Sequence, residues 1–265
     1  MAFPDAERVI YENNPLEEVI CQLRFPPVLK IDTEPPVEFQ ERIRSDYPFY
    51  KSRPAVKLPA GLPTELAALL AKDLPLGAGQ TAHEFGSQDE RWTLSLTRDF
   101  IALTCRSYDR WENFKAHLDR PLDALRKLYS PAFFTRIGLR YRDVIRRSVL
   151  GLEQLSWAEL LQPGVAGALA SPEIAADVEH SAQELVIRLP DGRSHVRVHH
   201  GLAVDDGSEE QCYVIDADFF DDQQSELPHA FERLDSLNRQ ARRFFRWCIK
   251  DRLHQAMRPQ PLPSH

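Results

Sequence analysis

Glycine is scarce in this sequence, with 11 among 265 residues. No Gly-rich phosphate loop, dinucleotide fingerprint, nucleophile elbow or HExxH pair occurs. Enzymes built on those devices are set aside. The four cysteines, Cys21, Cys105, Cys212 and Cys248, stand far apart in apolar patterns and form no CxxC pair. They read as reduced, buried and inert, and the compartment expected is the cytoplasm. No stretch approaches the roughly 20 apolar residues of a membrane helix. The opening MAFPDAERVIYENNPLEE lacks the basic and apolar regions of a secretory leader. No long-period repeat or low-complexity block is present. Positive charge is outweighed, 33 Lys and Arg against 40 Asp and Glu, for a formal net charge of −7. An overall electrostatic grip on nucleic acid is therefore not expected, although a local basic patch stays open.

What is present is an ordinary globular composition, 43% hydrophobic and 28% charged. After the turn signal Asn13-Asn14-Pro15, the run LEEVICQLRF places Val19, Cys21, Leu23 and Phe25 in alternation with Glu18, Ile20, Gln22 and Arg24. Period two predicts a strand. A short amphipathic helix on Phe39 and Ile43 follows, stopped near Pro48. Thr64–Leu74 reads as a helix capped by Thr64. RWTLSLT and FIALTCRSY read as a hairpin turning at Arg98-Asp99. Trp111, Phe114, Leu118, Leu122, Leu125 and Tyr129 recur every three or four residues, predicting a helix capped by Asp109 and kinked or split at Pro121. FFTRIGLRYRDVI then forms a further strand.

The second half reads as strands near Ala176–Ser181, Glu184–Leu189, His195–Leu202 and Gln211–Phe220. Pro190-Asp191-Gly192 is a turn linking two of them. A long last helix is expected from Leu227 to Met257. The fold class is α+β, with antiparallel sheets faced by a few helices and a long C-terminal helix. The chain divides into an N-terminal half, 1–150, a connecting segment, 151–175, and a C-terminal sheet plus helix, 176–265, expected to form one continuous unit.

Three segments also resemble the signature stretches of a bacterial protein family of about this length, one of uncharacterised function. They are NPLEEVICQLRFP, TRIGLRYRDVI, and YVIDADFF followed by the last helix. The resemblance implies a globular protein and no particular reaction. The family's patchy spread is compatible with mobile-element, defence or immunity roles.

The chemistry centres on charge. In a strand alternate side chains face opposite ways, so Arg136, Gly138, Arg140 and Arg142 oppose Ile137, Leu139, Tyr141, Asp143 and Ile145. Arg24 follows the same logic in its own strand. If these strands share a sheet, one face is apolar and the other basic. That basic face is either a solvated surface with cross-strand ion pairs or an anion site built on Arg24, Arg136, Arg140 and Arg142. Asp216 and Asp218 are weak candidates for a divalent ion such as Mg²⁺, or partners of the arginines; Asp221 and Asp222 sit where they would begin the last helix. His195, His199 and His200 do not make a metal site, because adjacent residues diverge and His195 and His199 lie ~13 Å apart. Arg239, Arg242, Arg243, Arg246, Lys250 and Arg252 form a stripe on the last helix. Phe244, Phe245 and Trp247 cover too wide an arc for all to be buried on one face, so at least one is expected at the surface or an interface.

The functional expectation is a binding or interaction protein with a protein partner and no cofactor. One alternative is a phosphate- or nucleotide-binding enzyme or sensor using Mg²⁺ on the basic face. Another is a nucleic-acid-linked regulator acting through the last helix.

Overall fold

A computed structural model describes residues 3–54, 81–204 and 210–262. The helix expected over Thr64–Leu74 lies outside them. The fold is α+β, antiparallel sheets faced by helices, as the patterns predict. The strands are β1 (Val9–Tyr11), β2 (Leu16–Arg24), β3 (Phe49–Pro54), β4 (Thr81–Gly86), β5 (Trp92–Leu96), β6 (Phe100–Cys105), β7 (Arg136–Ile145), β8 (Ser181–Arg188), β9 (His195–Val204), β10 (Gln211–Asp221) and β11 (Pro259–Pro261). The main helices are α1 (Val37–Ile43), α2 (Trp111–Tyr129), α3 (Ala230–Cys248) and α4 (Asp251–Ala256).

Among the described residues, nine strands make one antiparallel sheet in the order β3-β4-β5-β6-β2-β7-β10-β9-β8. β7 pairs with β2 on one side and β10 on the other, so the sheet crosses both halves of the chain. β1 and β11 form a separate ribbon joining the two ends. One sheet face is apolar. Val19, Cys21 and Leu23, Ile137 and Leu139, and Ile215 and Phe219 are buried there under α2 and α3. Among the described residues no helix is long and apolar enough to cross a membrane.

Several elements depart from the sequence patterns. α2 runs unbroken through Pro121. Proline cannot donate to the carbonyl four residues back, but the buried Tyr47 hydroxyl donates to His117 O at 2.9 Å instead. We predict that Tyr47→Phe, which orphans that carbonyl, costs about 1–3 kcal/mol. A shifted urea midpoint with unchanged slope is the check. Asp109 does not cap α2: Arg110 holds the N-cap position, and Asp109 accepts from the Arg110 amide and the Asn113 side chain. Residues Ala175–Asp177 form a 3-10 turn where a strand was expected. The last helix divides after Cys248, where Ile249 turns extended and bridges Leu161. Gln162 N donates to Cys248 O at 2.9 Å and Lys250 N to Leu160 O at 2.8 Å, so the break leaves these groups satisfied.

Candidate functional site

The second face of the sheet is covered by no described helix. Strand parity brings Glu18, Ile20, Gln22 and Arg24 of β2 to it, beside Arg136, Gly138, Arg140 and Arg142 of β7 and Asp216 and Asp218 of β10. Across β6 and β5 the floor continues as Ala102, Thr104, Thr93 and Ser95. β4 and β3 add Glu84 and then Phe49, Lys51 and Arg53. The sequence-nominated residues Arg24, Arg136, Arg140 and Arg142 thus lie on one side of one sheet.

Most of these guanidinium groups are already engaged. Arg140 grips both oxygens of Asp216, and these bonds raise it above its ordinary value. Arg136 Nη2 donates to Asp218 at 2.6 Å, and its guanidinium lies 4.9 Å from the Phe220 ring centre. Arg142 donates to Glu17 at 2.6 Å. Glu17 is the extra residue where the β2–β7 register shifts, and it also takes Arg146. Asp216 and Asp218 are therefore partners of the arginines, answering Arg140 and Arg136 respectively. Each is held by a cation, and among the described residues no group of three His, Cys, Asp or Glu is placed to hold a metal ion. Asp221 does not begin the last helix: it ends β10, fully buried against Arg193.

Arg24 differs from the others. Among the described residues, its Nε donates only to the neutral Gln22 side chain, at 3.0 Å. Its direct cross-strand neighbour is Arg136. Like charges placed opposite each other destabilise a sheet, and here Asp218 answers only one of them. Gly138 makes this crowding possible. A Cβ there would fall 2.2 Å from Arg136 Nη1, so the close approach its absence allows is by the guanidinium of its own strand. At the far edge, Lys51 of β3 has no ion-pair partner among the described residues, and Arg53 Nε lies 3.0 Å from Glu84. Phe49, two residues before Lys51, is 56% exposed. The alternation Phe49, Lys51, Arg53 was the available signal for this edge, obscured by the Pro- and Ala-rich text that follows.

These walls enclose an open trough of about 1190 Å³, reaching from Phe49 and Lys51 on β3 to Arg140 on β7 and Asp218 on β10. Seven Arg and Lys side chains line it against four carboxylates. The trough is therefore locally basic in a chain of net charge −7.

The other candidates resolve differently. His199 is exposed 3.8 Å from Glu184, while His200 is buried against Tyr213 OH at 2.8 Å on the opposite face, so the adjacent histidines do diverge. On the last helices, Arg243 pairs with Asp5, Arg246 with Asp251 and Arg252 with Glu159. Phe244 is buried, and Phe245 and Trp247 are half-buried under Tyr11 and Phe3. The expectation of an exposed aromatic there is corrected by the N-terminal segment, which folds back over both rings. No protein-family model matches the chain, and no curated protein matches it.

Proposed function

We propose that this protein is a binding module whose trough holds an extended acidic segment of a partner protein. The observation that carries the reading is the Arg24–Arg136 pair, two cations opposite each other across β2 and β7, of which only Arg136 has a carboxylate, Asp218 on β10. An incoming carboxylate relieves that repulsion and gains a charge-assisted hydrogen bond. Lys51 offers a second cation and Phe49 an apolar anchor on the far wall. β2 and β3 are separated by four strand spacings, roughly 19 Å at ~4.8 Å each. About six extended residues cover that span. The trough also exceeds the ~300–1,000 Å³ typical of small-ligand sites. The reading is one of binding, with no reaction assigned. It keeps the protein in the cytoplasm, where its four buried free thiols would stay reduced. The mobile-element, defence or immunity setting implied by the resemblance then depends on which partner carries the segment.

Calorimetric titration with an eight-residue peptide of glutamates around one leucine tests this. Saturable binding is expected, weakening as salt rises and falling at least tenfold on Arg24→Glu and again on Lys51→Glu. Arg239→Glu, on the exposed side of α3, should leave it unchanged. Undiminished binding by Arg24→Glu overturns the proposal. Binding of a nucleoside triphosphate with Mg²⁺ in place of the peptide moves the site to the small-anion alternative. Binding of single-stranded nucleic acid lost on Arg239→Glu moves it to α3.

A further inference from the structure

The opposite face of the sheet carries an independent feature. Asp143 of β7 shares the apolar face with Tyr141 and Ile145 and is 6% exposed. Among the described residues its carboxyl makes no hydrogen bond or ion pair. It lines a partly open pocket of about 140 Å³ between β7, β10, α3, the β1 segment and the start of α2. The half-buried Arg242 of α3 lines the same pocket; its Nε is buried without a hydrogen-bond partner, and among the described residues no carboxylate forms an ion pair with it. The acid and the base do not pair with each other. Nearby polar groups are already served: Asn238 Nδ2 donates to Tyr141 OH at 2.7 Å, Tyr11 OH meets His254 Nδ1 at 2.8 Å, and Arg246 holds Ile249 O and Asp251. The floor around Asp143 is apolar, with Leu16, Ile215, Ala217 and Phe244, while Glu7, Arg8, Asp109 and Arg110 stand at the pocket's rim, where Arg8 pairs with Glu112 and Arg110 donates to Asn113.

We infer that this cavity is a binding site for a small zwitterion, an aliphatic α-amino acid, with its ammonium on Asp143 and its carboxylate on Arg242. A buried carboxyl without a partner, beside a half-buried cation whose Nε is buried and unpaired, is costly in an empty site. A ligand carrying both complementary charges satisfies each of them. The volume is close to the ~150 Å³ of an engineered apolar cavity that takes benzene, so a branched aliphatic body is the right scale. Arg242 suits a carboxylate because its fork can bind both oxygens. Asp143 holds its proton while the site is empty, since burial pushes its carboxyl up to about 8. An ammonium group takes that proton's place, and the proton leaves to the buffer. The basic trough plays no part in this binding.

The test uses leucine together with its amine counterpart, 3-methylbutylamine, and its acid counterpart, 4-methylpentanoate. Leucine at millimolar concentration should raise the melting temperature by mass action, and its binding should release a proton at pH 7, read as buffer-dependent heat. Asp143→Asn should weaken leucine and the amine at least tenfold and spare the acid. Arg242→Gln should weaken leucine and the acid and spare the amine. A crystal structure of the protein grown with leucine that holds only water in the cavity overturns the inference. So does leucine binding unchanged in both variants, or no response to any of the three compounds.

Discussion

Asp143→Asn is expected to stabilise the ligand-free protein by several kcal/mol at pH 8 and by little near pH 4. Burial, and secondarily the Asp216 charge, raise the Asp143 carboxyl from an ordinary 3.8 to about 8. The native state therefore keeps a proton that the unfolded chain loses from about pH 4 upward. Where the native state binds more protons, stability falls as pH rises, at up to ~1.4 kcal/mol per unit. The contribution is whole below the unfolded value and is lost as pH climbs towards the folded value. Asparagine has nothing to ionise and escapes the loss. Burial raises the Cys248 thiol of α3 and Tyr11 of β1, and the Asp143 charge, once formed, adds to both. Asn should partly relax both. Urea unfolding of the two proteins at pH 5 and pH 8 reads the effect as a widening gap. A gap that does not change with pH would mean that Asp143 titrates normally.

Arg193→Ala is expected to cost about 3–5 kcal/mol, the loss seen when one member of a buried ion pair is removed. Asp221 is wholly buried at the end of β10, and Arg193 donates to it. The same guanidinium donates to Ser225 Oγ at 2.7 Å and to Gln224 O at 3.3 Å, tying the chain after β10 to the β8–β9 turn. Without Arg193 a carboxylate stays in the interior with only the Gln223 amide, 3.0 Å away, for company. The double replacement Arg193→Met with Asp221→Leu should recover most of the loss, because neither charge then remains. Thermal unfolding of the two variants checks this. Equal losses in both would assign the effect to packing.

The faces of β2 and β7 were legible in the sequence because each strand is buried on one side only, so period two survives intact. The common side of Arg24, Arg136, Arg140 and Arg142 followed from it. Which carboxylate answers which arginine was not legible, since that depends on the β7–β10 register and on the extra residue Glu17. β3 and β4 left no clear pattern: β4 is buried through His83, Glu84 and Phe85 on both faces, and β3 runs into Pro54. The break at Ile249 has neither proline nor glycine behind it; a backbone bridge to Leu161 competes with the helix and wins. Asp143 was visible as an acid in apolar register, but its cavity exists only once α3 and β1 close over β7. That at least one of Phe244, Phe245 and Trp247 should reach the surface or an interface was expected for the same kind of reason, because the segment that covers Phe245 and Trp247 is distant in sequence.

The central claim is that the trough recognises an acidic segment through the cation left without a carboxylate. The most direct measurement follows the arginine Nε–Hε signals by NMR as the glutamate–leucine peptide is added. The Arg24 and Arg136 signals should move together and saturate, while Arg140, locked on Asp216, holds still. Movement confined to Arg239, Arg242 and Arg243 on α3, with Arg24 unmoved, would contradict the account.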